Sequence, residues 1–410
     1  MRITNLHMLG CFLVLVLCGL PVFAGPPVEL VVWHSYRGGE AAAFEKVVAS
    51  YNAAKAAADV KVITLPVPYD AFADKITAAV PRGKGPDIFI FAQDRLGGWV
   101  EAGNTIEPID FYTDAATKDR FLPTTVAAMT YHGTLYALPL NYKVITMIYN
   151  KKLVTTPPAT TGELAKLAKS LTDASTGRFG LAYWYTNFYY HAILMNAFGG
   201  GAFDTNGKPI LNCDGNVKSL EFLMSWVDKG KFLPAEPSTV LVTSLFNDGK
   251  AAIVFNGPWF LGEIAKGIDY GLAMLPTVDE AGGKPMRPWM TVEGVYITAG
   301  SKHKEAAYDF VKYVTDAPAA KVLALEGGQT PANKDVYKDA KVSSDPLLAA
   351  FRRQVEVAVP MPNLAEMSMM WTPVTSAMTA VVQGSAKPKA ALDQAQKEVE
   401  AAVALLRKTK

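Results

Sequence analysis

Gly83–Ile109 reads GKGPDIFIFAQDRLGGWVEAGNTIEPI, and the four residues Ile88–Phe91 inside it set the fold. A short, wholly apolar run with Gly-Pro-Asp on one side and Gln-Asp-Arg shortly after it is the pattern of a strand buried on both faces. It delivers a charged pair, Asp94 and Arg95, to its C-terminal end, and in open α/β sheets that end faces the ligand crevice. Upstream, Val28–Trp33 (VELVVW) has strand character and Gly38-Gly39 reads as a loop. Phe44, Val47, Val48 and Tyr51 then fall at i, i+3, i+4 and i+7, one apolar helical face. Val60–Val67 (VKVITLPV) is strand-like again and Asp70–Val80 (DAFADKITAAV) is helical. Strand, helix, strand, helix, strand at this spacing predicts two βαβ units and a parallel sheet.

The 410 residues are too many for one ordinary domain, and with half of them hydrophobic and 19% charged there is apolar material for two cores. Further helical faces follow: Leu220, Leu223, Met224 and Val227, closed by Gly230; Ala307, Phe310, Val311 and Val314; and an Ala-rich helix over Ala390–Leu406. No Pro/Gly/Ser-rich linker separates two beads on a string, so the lobes are expected to be joined by several short crossings. Forty basic against 38 acidic residues leave a net charge of +2, with no basic cluster interleaved with aromatics, and nucleic-acid binding is not expected. Residues 1–24 read as a secretory signal: Arg2, the apolar Met8–Leu17, and Val22-Phe23-Ala24 before Gly25. Cleavage after Ala24 removes Cys11 and Cys18 and leaves Cys213 alone, so no intramolecular disulfide is expected. A lipoprotein anchored at Cys18 is the second reading, weakened by the bulky Leu17 before it.

Enzyme signatures are absent. There is no G-x-S-x-G elbow, P-loop, G-x-G-x-x-G after a strand, or H-E-x-x-H, and His34, His132, His191 and His303 show no metal-ligand spacing. A glycan-cleaving enzyme needs only two carboxyl groups, which sequence does not exclude. What the chain does carry is aromatic residues beside polar ones. Tyr183–His191 reads YWYTNFYYH, six aromatics in nine residues, too many to turn toward one core face. Sugars present an apolar C–H face and a rim of hydroxyls. Flat rings with carboxylate, guanidinium or amide groups beside them suit that chemistry.

Three stretches taken in order, Gly83–Ile109, Leu135–Val154 (LYALPLNYKVITMIYNKKLV) and Phe255–Leu261 (FNGPWFL), resemble the periplasmic maltose/maltodextrin-binding proteins, the family 1 solute receptors of ABC importers. The resemblance runs from about Val28 to the C-terminus. It implies a two-lobed periplasmic-binding-protein fold of the α/β class, with discontinuous domains and a hinge cleft. The N-lobe would hold 25–140 and 288–335 and the C-lobe 145–287 and 340–410, with crossings near Leu140–Ile145, Pro285–Pro288 and Asn333–Lys338.

It implies site residues too. Asp94-Arg95 sits where relatives hold an Asp-Arg pair that grips sugar hydroxyls. Phe91 stands where the best-known relatives have a stacking Trp. Trp259 in NGPW, and Trp371 ten residues after Met361 in MPNLAEMSMMW, match stacking tryptophans; Tyr189, with Phe188 beside it, matches a stacking Tyr. Lys143 takes a position held by Glu or an amide, Asn187 one held by Glu or Asn, and Tyr36-Arg37 replaces an Asp-Lys pair. The rim is thus more basic, and Arg37 and Lys143 would suit a sugar phosphate. The implied function is an exported receptor, binding maltose or maltodextrins by hinge closure and delivering them to the membrane permease subunits. It would act as a monomer without cofactor or metal. A receptor for another disaccharide or glycerol-3-phosphate is the alternative.

Overall fold

The computed structural model describes residues 28–408, so the expected signal, its cleavage point and Cys18 lie outside the described residues. Ile88–Ala92 is buried at every position. It pairs in parallel with Val28–His34, which pairs in parallel with Val60–Pro66. On its other side it pairs antiparallel with Trp289–Ile297, a nine-residue strand that returns from 200 residues later in the chain. Beyond that come Ala137–Lys143 and the two residues Thr330–Pro331, both antiparallel. The expected parallel sheet is therefore mixed: the three strands legible from their βαβ spacing are parallel, and Val359–Pro360 adds a further parallel pairing to Trp289–Met290. Helix Gly38–Lys55 buries Phe44, Val47, Val48 and Tyr51 on it, and begins at the glycines expected to form a loop. Helix Tyr69–Ala79 covers it with Phe72 and Ile76.

A second, four-stranded sheet runs Tyr270–Ala273, Thr146–Asn150, Ala251–Asn256, Phe179–Ala182. It has its own core, with Leu181, Tyr183, Ile193, Leu223, Phe255 and Met378. The chain passes from the first sheet to the second across Val144 and Ile145, both fully buried. It returns between Pro285, in a small hairpin with Thr277–Val278, and Trp289.

The last passage differs. Val342 and Leu348 pack with Ala320, Ala324 and Val336, and Phe351 joins the first core. The apolar residues of 340–355 thus pack on the first lobe, where the expected assignment put everything from 340 in the second, while buried Gln354 also reaches the second lobe by accepting from the Leu275 N–H at 2.8 Å. Val359–Pro360 still pairs with Trp289–Met290, and the chain enters the second core only at Met361, Met367 and Met370. The reason is the apolar face of helix Pro346–Val355, which has a partner surface ready on the helix Ala317–Gly327 side. Among the described residues no helix is long and apolar enough to cross a membrane.

Candidate functional site

A cleft of about 830 Å³ lies between the lobes, and its floor is built where the Ile88–Ala92 strand ends. The chain turns there through Gln93–Arg95 before helix Leu96–Ala102. Gln93 is buried and fixes the turn: its amide donates to the Met361 carbonyl at 3.1 Å and its carbonyl accepts from the Val292 N–H at 2.7 Å. Gly97 lets the Asn363-Leu364-Ala365 segment come close, since a Cβ on it would sit 2.4 Å from the Ala365 nitrogen. Asp94 Oδ2 then meets Arg95 Nε at 3.1 Å and accepts from Trp371 Nε1 at 3.2 Å. Its other oxygen, Oδ1, is buried with no hydrogen-bond partner in the protein. Burial raises the Asp94 carboxyl above the usual carboxylate range, against the pull of Arg95 and the Trp371 N–H.

The second lobe contributes the aromatic wall. Asn187 caps helix Phe188–Ala197 by accepting from the Tyr189 N–H at 2.9 Å, and this cap fixes which rings face which way. Tyr183, Tyr185 and Phe188 go into the core; Trp184, Tyr189 and Tyr190 line the cleft. Phe188 was expected in the site and is not there. It is 1% exposed and sets its edge against Trp289 at 4.8 Å and Trp371 at 5.7 Å, bracing Trp371 from behind. Trp259 stands on a short turn after Gly257, where a Cβ would come within 2.1 Å of the indole ring, so glycine is what lets the ring lie down on its own backbone. Tyr189 is 6.1 Å away and reaches across to Thr291 of the large sheet at 3.4 Å.

Every other residue expected from the sequence lines the cleft: Arg37, Phe91, Asp94, Arg95, Lys143, Asn187, Tyr189, Trp259, Met361 and Trp371. Two of them are engaged otherwise than expected. Lys143 neither reaches solvent nor stands free, since its ammonium lies between Glu40 (3.1 Å) and Glu293 (3.0 Å). It also sits 5.4 Å from the Tyr36 ring centre and 5.9 Å from that of Trp259. Glu293 takes two further bonds, from Tyr36 Oη at 2.9 Å and Asn141 Nδ2 at 3.0 Å. Burial alone would lower the Lys143 pKa, but Glu293 and Glu40 together hold it above its ordinary value. Burial chiefly, and then the neighbouring Glu293 carboxylate, push Glu40 up against the pull of Lys143. Arg37 pairs with Glu263 of the second lobe at 3.0 Å, a bridge over the cleft mouth that is 63% exposed on the arginine side and worth little in stability.

Glu40, Glu293 and Tyr69 are site groups that sequence reasoning missed. Two signals were present. Glu40 falls four residues before Phe44 on the apolar helical face, and Glu293 is the lone carboxylate in the apolar run WMTVEGVYI. Charges in such places are paired or functional. Among the described residues no group of three or more His, Cys, Asp or Glu could hold a metal ion.

An aromatic wall facing a carboxylate and a guanidinium, set between two lobes, is an arrangement for holding a polar solute with apolar faces. The comparisons agree. The family model described as "Bacterial extracellular solute-binding protein" matches residues 46–350. The maltotriose-binding protein of Pyrococcus abyssi is 33% identical over 359 residues, covering 87% of this chain and 78% of its own. The maltooligosaccharide ABC transporter solute-binding lipoprotein of Streptococcus pneumoniae R6 is 29% identical over 78% of this chain and 77% of its own. Among solved structures, a maltose/maltodextrin-binding domain from Bdellovibrio bacteriovorus bound to maltotriose superposes with a TM-score of 0.85 at 26% identity, over 92% of this chain and 100% of that one. With that match running through both lobes, and with the cleft between them, the chain belongs to the bacterial extracellular solute-binding protein family.

Proposed function

We propose that this chain is the receptor of an ABC importer for neutral oligosaccharides of the maltotriose class, held in the cleft by hinge closure. The observation that carries the reading is the pairing of Trp259, Trp371 and Tyr189 on one wall with Asp94 and Arg95 on the other. Rings supply contact area at little conformational cost, and the unpartnered Asp94 Oδ1 accepts a hydrogen bond from a sugar hydroxyl. Relatives named for maltotriose and maltooligosaccharides support the class of solute. The crossings at Val144–Ile145 and Pro285–Trp289 serve as the hinge, and a sugar touching both lobes favours the closed form by its differential affinity.

Charge argues against the phosphate alternative. The cations on the cleft, Arg37, Arg95 and Lys143, face Glu40, Asp70, Asp74, Asp94 and Glu293, three against five, and each cation is already paired. An anion entering there meets net negative charge. Residues 1–24 act as the export signal and the mature chain works as a monomer in the periplasm, receiving sugar and passing it to membrane permease subunits. It does no chemistry on the sugar and needs no cofactor.

Calorimetric titration with maltotriose, trehalose and glycerol-3-phosphate tests this. Maltotriose is expected to bind with the sugar recovered intact, and glycerol-3-phosphate to give no heat. Tighter binding of glycerol-3-phosphate than of maltotriose, or release of glucose or maltose from maltotriose, overturns the proposal.

A further inference from the structure

We infer that Tyr69, rather than Phe91, is the aromatic surface that the first lobe offers to the sugar. This rests on the proposal that the cleft takes a maltooligosaccharide. Three rings lie nearly parallel in a column. Phe72, fully buried, stacks on Phe91 with centres 4.9 Å apart and planes 14° apart. Tyr69 stacks on Phe91 at 5.1 Å and 23°. Phe91 is therefore the middle ring, covered on both faces and 4% exposed, and it meets the cleft at most by an edge. Tyr69 is the end of the column, 52% exposed and on the cleft lining. A sugar ring stacks on a face, so the only face this column leaves for it belongs to Tyr69.

The backbone holds that ring still. Strand Val60–Pro66 runs into Val67, whose N–H donates to the His34 carbonyl at 2.8 Å, and Pro68 then precedes Tyr69 at the first position of its helix. Two prolines within three residues and a sheet-anchored Val67 restrict the approach. The ring is thus presented at low conformational cost, and a half-exposed large aromatic in a cleft has no folding role that its exposed face would serve. The hydroxyl keeps its proton: burial, then the negative Asp94 and Glu293, raise its pKa well above the ordinary value. It remains a donor on the same surface.

The test is titration of maltotriose into wild type, Tyr69→Ala, Tyr69→Leu and Tyr69→Phe, with the melting of each ligand-free protein recorded. Tyr69→Ala and Tyr69→Leu are expected to weaken binding about tenfold or more, while Tyr69→Phe, which keeps the face, stays within about threefold. Tyr69→Leu keeps Phe91 covered, so a loss there does not come from opening the column. Unchanged or tighter binding by Tyr69→Ala overturns the inference, since uncovering Phe91 would then give the sugar its platform. An equal loss in Tyr69→Phe overturns stacking in favour of the hydroxyl. Failure of wild type to bind maltotriose would overturn the proposed function and this inference together, whereas wild-type binding that survives Tyr69→Ala overturns this inference alone.

Discussion

Lys143→Met is expected to lower the folding free energy by about 3–5 kcal/mol at neutral pH, the range for removing one partner of a buried ion pair. The ammonium lies between Glu40 and Glu293, with 10%, 7% and 6% of the three side chains exposed. Methionine fills the volume and leaves two carboxylates facing each other out of water. Glu40, already pushed up by burial, then loses the Lys143 charge that opposes the rise, so its folded pKa stands further above the unfolded one. A group with a raised folded pKa contributes stability below its unfolded pKa and loses it as pH rises through the folded value. The defect is therefore present in full at neutral pH and shrinks toward acid. Urea unfolding of wild type and Lys143→Met at neutral pH and near pH 5 measures both parts. Equal stability at neutral pH would mean that water reaches the two glutamates and that the lysine holds nothing together.

Asp94→Ala is expected to weaken maltotriose binding by about 1.5–3 kcal/mol, the range for hydrogen bonds to a charged group. Two effects act together. The carboxylate oxygen Oδ1 that faces no protein donor is lost to the sugar, and Trp371 loses the acceptor that orients its indole. The pH dependence has a sign that separates binding from stability. Burial raises the Asp94 pKa, so sugar affinity falls as pH drops through that raised value, earlier than for an ordinary aspartate. Its own contribution to the stability of the sugar-free protein runs the other way, favourable at acid pH and lost as pH rises. Titration calorimetry of wild type and Asp94→Ala across the acid range shows the first, and melting of the two sugar-free proteins over the same range shows the second. An Asp94→Ala variant that melts earlier yet binds normally would make Asp94 a brace for Arg95 and nothing more.

The three parallel strands and their helices were legible because burial writes its period into sequence: a bare apolar run for Ile88–Phe91, a helical face for Phe44 through Tyr51. Asp94-Arg95 was legible for the same reason, being the first charge past a strand end. The six-aromatic segment announced two environments but not their division. Phe188 and Tyr189 are neighbours, and only the phase of the helix capped by Asn187 sends one to the core and the other to the cleft. Lys143 was visible, but its partners were not, because Glu40 comes from the first helix and Glu293 from the returning strand, and pairing across such separations is decided by the fold. Phe91 was expected to stack on sugar, and no local signal says that Tyr69 lies on top of it. The late third crossing was hidden too. The amphipathic helix Pro346–Val355 would read alike whichever lobe it packed against.

The most direct test of a sugar held between the lobes is a crystal structure of the protein grown with maltotriose. The expected result is one sugar chain in the cleft, with glucosyl faces on Trp259 and Trp371 and a hydroxyl within hydrogen-bond distance of Asp94 Oδ1. Maltotriose bound elsewhere on the surface, or a cleft without sugar at a saturating concentration, would contradict it.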